Sequence, residues 1–141
     1  MPIELLSPAQ LTEMRPAGAI VAQVLTALAE GAAVGVDLLD LDALAHDMIR
    51  ERGATSCYID YAPSFGRGPF GKVLCTSVND AVLHGLPHDY TLRDGDLLRI
   101  TLDRPLASPE QAHPGWPSQT GSEVEALRRL LPHRHLELIS D

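Results

Sequence analysis

The apolar spacing of the 141-residue chain changes period twice, and those changes limit the folds open to it. Up to Gly53 the apolar residues recur at helical intervals. From there to Asp103 they fall in short, β-like runs. Over 104–117 almost no pattern is left. A helical block followed by a strand block predicts an α+β domain, with helices packed on a small antiparallel sheet.

Ser7-Pro8 opens the first helix. The serine caps, the proline suits the first turn, and Gln10 completes a capping box. Leu11, Met14, Gly18, Val21, Leu25 and Leu28 form its apolar stripe, with Ile20 and Val24 widening it. Pro16 falls inside this stripe and predicts a kink or break near Arg15. Asp37 caps a second helix over 38–52, ended by Gly53. Leu41, Leu44, Ala45, Met48 and Ile49 make its apolar face. Asp40, Asp42, Asp47, Arg50 and Glu51 are expected off that face.

Residues 55–61 are β-like in composition. The segment 62–71 is rich in glycine and proline and is read as a loop at a pocket edge. It lacks the GK[ST] and following amphipathic helix of a phosphate-binding loop. Next comes KVLCTSVNDAVLHGLP, residues 72–87. Two apolar runs, 73–78 and 81–83, flank Asn79-Asp80, a pair that tolerates left-handed backbone. This predicts a hairpin presenting His84 at a strand end, beside a glycine that a ligand backbone could approach. Residues 92–96 read as a turn and 97–103 as a strand. Leu98, Ile100 and Leu102 lie on one face of that strand; Leu97, Arg99, Thr101 and Asp103 lie on the other. The last segment, 104–141, opens proline-rich. Ser122, Glu125, Val124, Leu127, Leu130 and Leu131 predict a short amphipathic helix within it.

Composition excludes some functions. The net charge of -8 argues against nucleic acid as a partner, because phosphate binding needs a basic face. Residues 17–36 carry one charge, Glu30, but are too rich in alanine, glycine and polar side chains to suggest a membrane span. No basic leader opens the chain, and Cys57 and Cys75 are read as reduced thiols, so a cytoplasmic setting is expected.

The run CTSVNDAVLHGLP followed by LRDGDLLRI resembles the central signature of type I methionine aminopeptidases of peptidase family M24. The likeness reaches back through SPAQLTEMRPAGAIVAQVL, GVDLLDLDALAHDMIRERGA and PSFGRGPFGKVLCTSVND, and covers about residues 3–102. It implies the N-terminal half of a pita-bread fold over 1–103, with 104–141 a divergent tail.

It also implies the family's chemistry: release of N-terminal methionine from nascent peptides, using two divalent metal ions about 3.5–4 Å apart. Family members hold those ions with two aspartates, one histidine and two glutamates. A further histidine contacts the substrate, and His84 matches it. Cys75 matches a residue lining the methionine pocket, and Tyr61 one at its rim. Thr101 stands where the family has its first metal aspartate, and Ala62 where a histidine is common.

Asp103 is two residues further along the same strand face, about 7 Å away, and is a weak substitute. Glu110, His113, Glu123, Glu125, His133 and Glu137 stand in none of the family's motifs, although His133 and His135 have a spacing that can share a metal.

The expectation is therefore a truncated, catalytically incompetent relative that binds no metal. One alternative is a peptide- or protein-binding pseudoenzyme; another is an active metallohydrolase using Asp103 and tail residues. Half of a two-part fold is also expected to leave one sheet face open. A second copy, another protein or the tail would have to cover it.

Overall fold

A computed structural model describes residues 5–62, 66, 68–102 and the strand at 124–129. Helix α1 spans Pro8–Gly31. Ser7 Oγ accepts the Gln10 N–H at 3.3 Å, and Gln10 Oε1 accepts the Ser7 N–H at 2.8 Å, which closes the expected capping box. Pro16 does not break the helix. Its missing N–H frees the carbonyl of Thr12, four residues back. Both residues are exposed, so water can serve that carbonyl. From Ala17 onward the helix is also held by burial, with Val24 and Leu28 fully enclosed.

Helix α2 spans Leu38–Glu51, and Asp37 accepts the Leu39 N–H at its start. Leu41, Ala45 and Ile49 point into the core as expected, whereas Leu44 stays 38% exposed. Asp42 departs from the expectation. It is buried, its Oδ1 accepts the Val73 N–H at 2.9 Å, and its Oδ2 stands 3.7 Å from Lys72 Nζ. A carboxylate on the apolar side of α2 thus ties the helix to the chain just before the sheet. Hydrogen bonding and charge offset its desolvation.

Strand β1, Cys75–Val78, pairs antiparallel with β2, Leu97–Leu102. The expected hairpin partner, residues 81–83, is not a strand. Asn79, at φ 55°, takes the chain out of the ladder, and Val82 is 75% exposed with nothing to pack against. Strand propensity counts only where a face is covered. Residues 55–61 form no strand either; Tyr61 N–H closes a turn on the Tyr58 carbonyl. Phe70 and Gly71 return to bond the Tyr61 and Ile59 carbonyls, which closes the glycine-rich loop at its base.

The helix expected near the C-terminus is also corrected. Val124–Arg129 is strand β3, antiparallel to β2, giving the order β1-β2-β3. So few residues make a poor isolated helix. The second edge of β2 would otherwise show a row of unpaired backbone groups.

The core lies between the two helices and one sheet face. Leu98, Ile100 and Leu102 meet Val21, Val24, Leu25 and Leu28 of α1 and Leu41, Ala45 and Ile49 of α2. The connection between the helices is stitched to the approach to β2. Gly35 donates to Leu92 O, Leu92 to Val36 O, and Leu38 to Tyr90 O. No helix among the described residues is long and apolar enough to cross a membrane.

Candidate functional site

The β1–β2 register sorts the site residues by face. Cys75 pairs with Thr101, and Ser77 with Arg99. Cross-strand partners project to the same side, so these four share the face away from the helices. Three side chains on that face are buried. Cys75, Ser77 and Thr101 are each 2% exposed. The loop between Asn79 and Leu86 lies against it. Gly85 N–H donates to Ser77 Oγ at 3.0 Å, Arg99 Nη1 donates to Val82 O, and His84 Nδ1 stands 3.9 Å from Cys75 Sγ. The loop also carries three exposed apolar side chains, Val82, Leu83 and Leu86.

Gly85 explains how the loop can lie so close. A Cβ there would come within 2.2 Å of the Thr76 carbonyl oxygen and 2.8 Å of Ser77 Cα. The glycine next to the histidine therefore admits the backbone of the protein's own strand β1, not a ligand's. Its carbonyl accepts the Thr76 N–H at 2.7 Å. His84 itself takes φ 55°, an uncommon conformation for a residue with a side chain.

A second polar knot holds the base of the loop. Asn79 Nδ2 donates to Asp96 Oδ1 at 2.8 Å, and Tyr90 Oη and the Arg93 N–H both donate to Asp96 Oδ2. Burial alone would raise the Asp96 carboxyl. The bonds from Asn79, Arg93 and Tyr90, with the Arg93 charge, outweigh it and hold the group below its usual value. The Tyr90 hydroxyl is raised, chiefly because it donates to that carboxylate, then by burial and the Asp96 charge; Arg93 opposes the shift.

Of the sequence-predicted site residues, Cys75, His84 and Thr101 come together. Tyr61 is part-buried on the 58–61 turn, and no hydrogen bond or ring contact among the described residues joins it to Cys75 or His84. Asp103, Glu110, His113, Glu123, His133, His135 and Glu137 lie outside the described residues, whereas Glu125 stands on β3 at the register position opposite Thr101. Asp42, Ser77 and Arg99 were missed as organisers, because their partners are remote in sequence. Only the glycine after His84 signalled a close approach.

Two divalent ions need carboxylates to balance their charge. Among the described side chains, the cluster offers a thiol, an imidazole and the neutral Thr101 hydroxyl. Thr101 Oγ1 is buried and finds no hydrogen-bond partner among the described residues. No trio of histidine, cysteine, aspartate or glutamate among those residues is grouped to hold a metal. A thiol, an imidazole and a hydroxyl alone do not make a two-metal centre; a carboxylate would have to join them.

Two capped helices thus cover one face of a small antiparallel sheet, and a histidine-bearing loop lies against the other. The chain belongs to metallopeptidase family M24, whose profile matches residues 12–103. It is similar to the methionine aminopeptidase of Aquifex aeolicus, 38% identical over 101 residues, which is 71% of this chain and 39% of that protein. It is also similar to the Helicobacter pylori methionine aminopeptidase, 37% identical over 103 residues, 72% of this chain and 38% of that one.

Among solved structures, the Rickettsia prowazekii methionine aminopeptidase superposes with a TM-score of 0.68 at 25% identity, covering 92% of this chain and 45% of its own. A streptococcal methionine aminopeptidase gives 0.72 at 20% identity, covering 92% and 52%. The chain thus spans about two fifths of the length of these curated relatives and takes the fold of one half of the pita-bread architecture.

Proposed function

We propose that this chain is a methionine-aminopeptidase-like half-domain that retains the substrate-side wall of the site and does not, on its own, release methionine. In this reading His84 faces the peptide near its N-terminal bond, Cys75 lines the pocket for the first side chain, and Tyr61 stands at its rim. The setting is cytoplasmic and the ligand is the N-terminus of a peptide. The observation that supports the loss of hydrolysis is Thr101. A neutral hydroxyl, buried beside Cys75, stands where the resemblance places the first metal carboxylate.

The test is incubation of the purified chain with a Met-Gly-type peptide and added divalent metal, with metal content measured after dialysis. The expected result is no metal-dependent cleavage. Cleavage that requires metal and disappears in His84→Ala would overturn it, and would favour a hydrolase using Asp103 and tail residues.

A second reading, a peptide-binding pseudoenzyme, is favoured by one observation. His84 remains in a left-handed conformation beside Cys75, with its loop bonded to β1 and β2 on both sides. Saturable binding of the same peptide without cleavage distinguishes it from a decayed scaffold.

A further inference from the structure

His84 is exposed and lies on a loop, conditions under which an imidazole ordinarily samples several orientations. Here the loop is held on both sides of it. Arg99 Nη1 donates to the Val82 carbonyl, two residues before His84. Ser77 Oγ accepts the Gly85 N–H, one residue after it. Arg99 and Ser77 are cross-strand partners, so the two grips come from a single rung of the sheet.

The neighbouring pair on the same face is Cys75–Thr101, and His84 Nδ1 stands 3.9 Å from the Cys75 sulfur. The left-handed conformation of His84 is unfavourable for a residue with a side chain and persists only where its surroundings impose it. An arginine suits the distant grip. Its long stem crosses the sheet face while the guanidinium donates to a backbone carbonyl, which no mutation of Val82 can remove.

We propose that the Arg99–Ser77 rung is a positioning device that fixes the His84 imidazole beside Cys75. The inference rests on the reading of His84 as the peptide-facing histidine. Neither Arg99 nor Ser77 is assigned contact with the peptide; both act through the loop.

The test uses the full chain with isotope-labelled histidine and cysteine, observed by NMR. The wild type is expected to show a cross-peak between the His84 ring and the Cys75 β-protons. Arg99→Met keeps the stem and removes the donor, and should lose that cross-peak. Arg99→Lys keeps a donor and should restore most of it. Ser77→Ala removes the second grip and should weaken the cross-peak, while methyl signals of Leu28 and Ile49 in the helical core stay in place. A purely structural role would not separate Met from Lys at position 99.

Persistence of the wild-type cross-peak in folded Arg99→Met would overturn the proposal. If that variant does not fold, an unaltered cross-peak in Ser77→Ala overturns it instead. Titration of the wild type with Met-Gly dipeptide tests the underlying reading separately. Shifted His84 and Cys75 signals support it. Unshifted signals would remove the peptide from the inference even with the rung intact.

Discussion

The two faces of the β1–β2 pair are equally dry but differently built. Toward the helices, Leu98, Ile100 and Leu102 meet leucine, valine and isoleucine from α1 and α2. Toward the loop, the buried side chains are Cys75, Ser77 and Thr101, and the cover is a backbone segment held by a few hydrogen bonds. The first face derives its stability from apolar area, which tolerates small rearrangement. The second depends on close backbone approach and on specific donors. A face of the second kind presents polar groups at a cost in stability that the first kind offsets.

The strongest challenge to this contrast is to the apolar face. Leu28 is fully enclosed. Leu28→Ala should lower unfolding free energy by about 4 kcal/mol, from lost transfer energy and the cavity left behind. Denaturant unfolding measures it, and a loss below about 1 kcal/mol would show that the helices are not the main support.

On the polar face the sensitive position is Gly85, where a methyl group meets the backbone of Thr76 and Ser77. Gly85→Ala should cost about 3 kcal/mol and should release the loop. Faster alkylation of Cys75 and faster hydrogen exchange at Thr76 would report that release. An alanine variant with wild-type stability and exchange would mean the loop is not seated as described.

A smaller effect of opposite sign is expected at Thr101. Its buried hydroxyl has no partner among the described residues, so it contributes a desolvation cost without return. Thr101→Val should stabilise the chain by about 1 kcal/mol. A destabilised valine variant would show that the hydroxyl is engaged.

The last prediction concerns acid. The Asp96 carboxyl is held below its ordinary value of 3.8. A group depressed in the folded state contributes stability above its unfolded value, and that contribution is lost as pH falls through the folded one. Asp96→Asn should therefore be less stable than wild type at neutral pH, with the gap narrowing once pH drops below 3.8. A gap that does not change with pH would assign the role of Asp96 to shape alone.

What the sequence made legible follows the range of each interaction. Ser7, Gln10 and Asp37 cap helices through residues two or three positions away, so α1 and α2 could be read from local pattern. The left-handed Asn79 and the turn before β2 were legible for the same reason. The burial of Asp42 depends on Val73, thirty-one positions away, and nothing in the helical pattern announces it. Residues 81–83 carry strand composition but acquire no covered face, and residues 124–129 carry a helical pattern but meet an open strand edge. In both, tertiary surroundings override local preference. The resemblance singled out Cys75, His84 and Thr101, and the structure sets Thr101 opposite Cys75 and His84 beside it. The bonds that join Arg99 and Ser77 to the loop needed the register of the sheet.

The bond from Thr76 to the Gly85 carbonyl also occupies the outward side of β1, where an unpaired strand could template the addition of another chain. The glycine that seats the histidine thus doubles as a guard against fibrous self-association. A substitution that lifts it away would turn a misplaced side chain into an aggregation hazard.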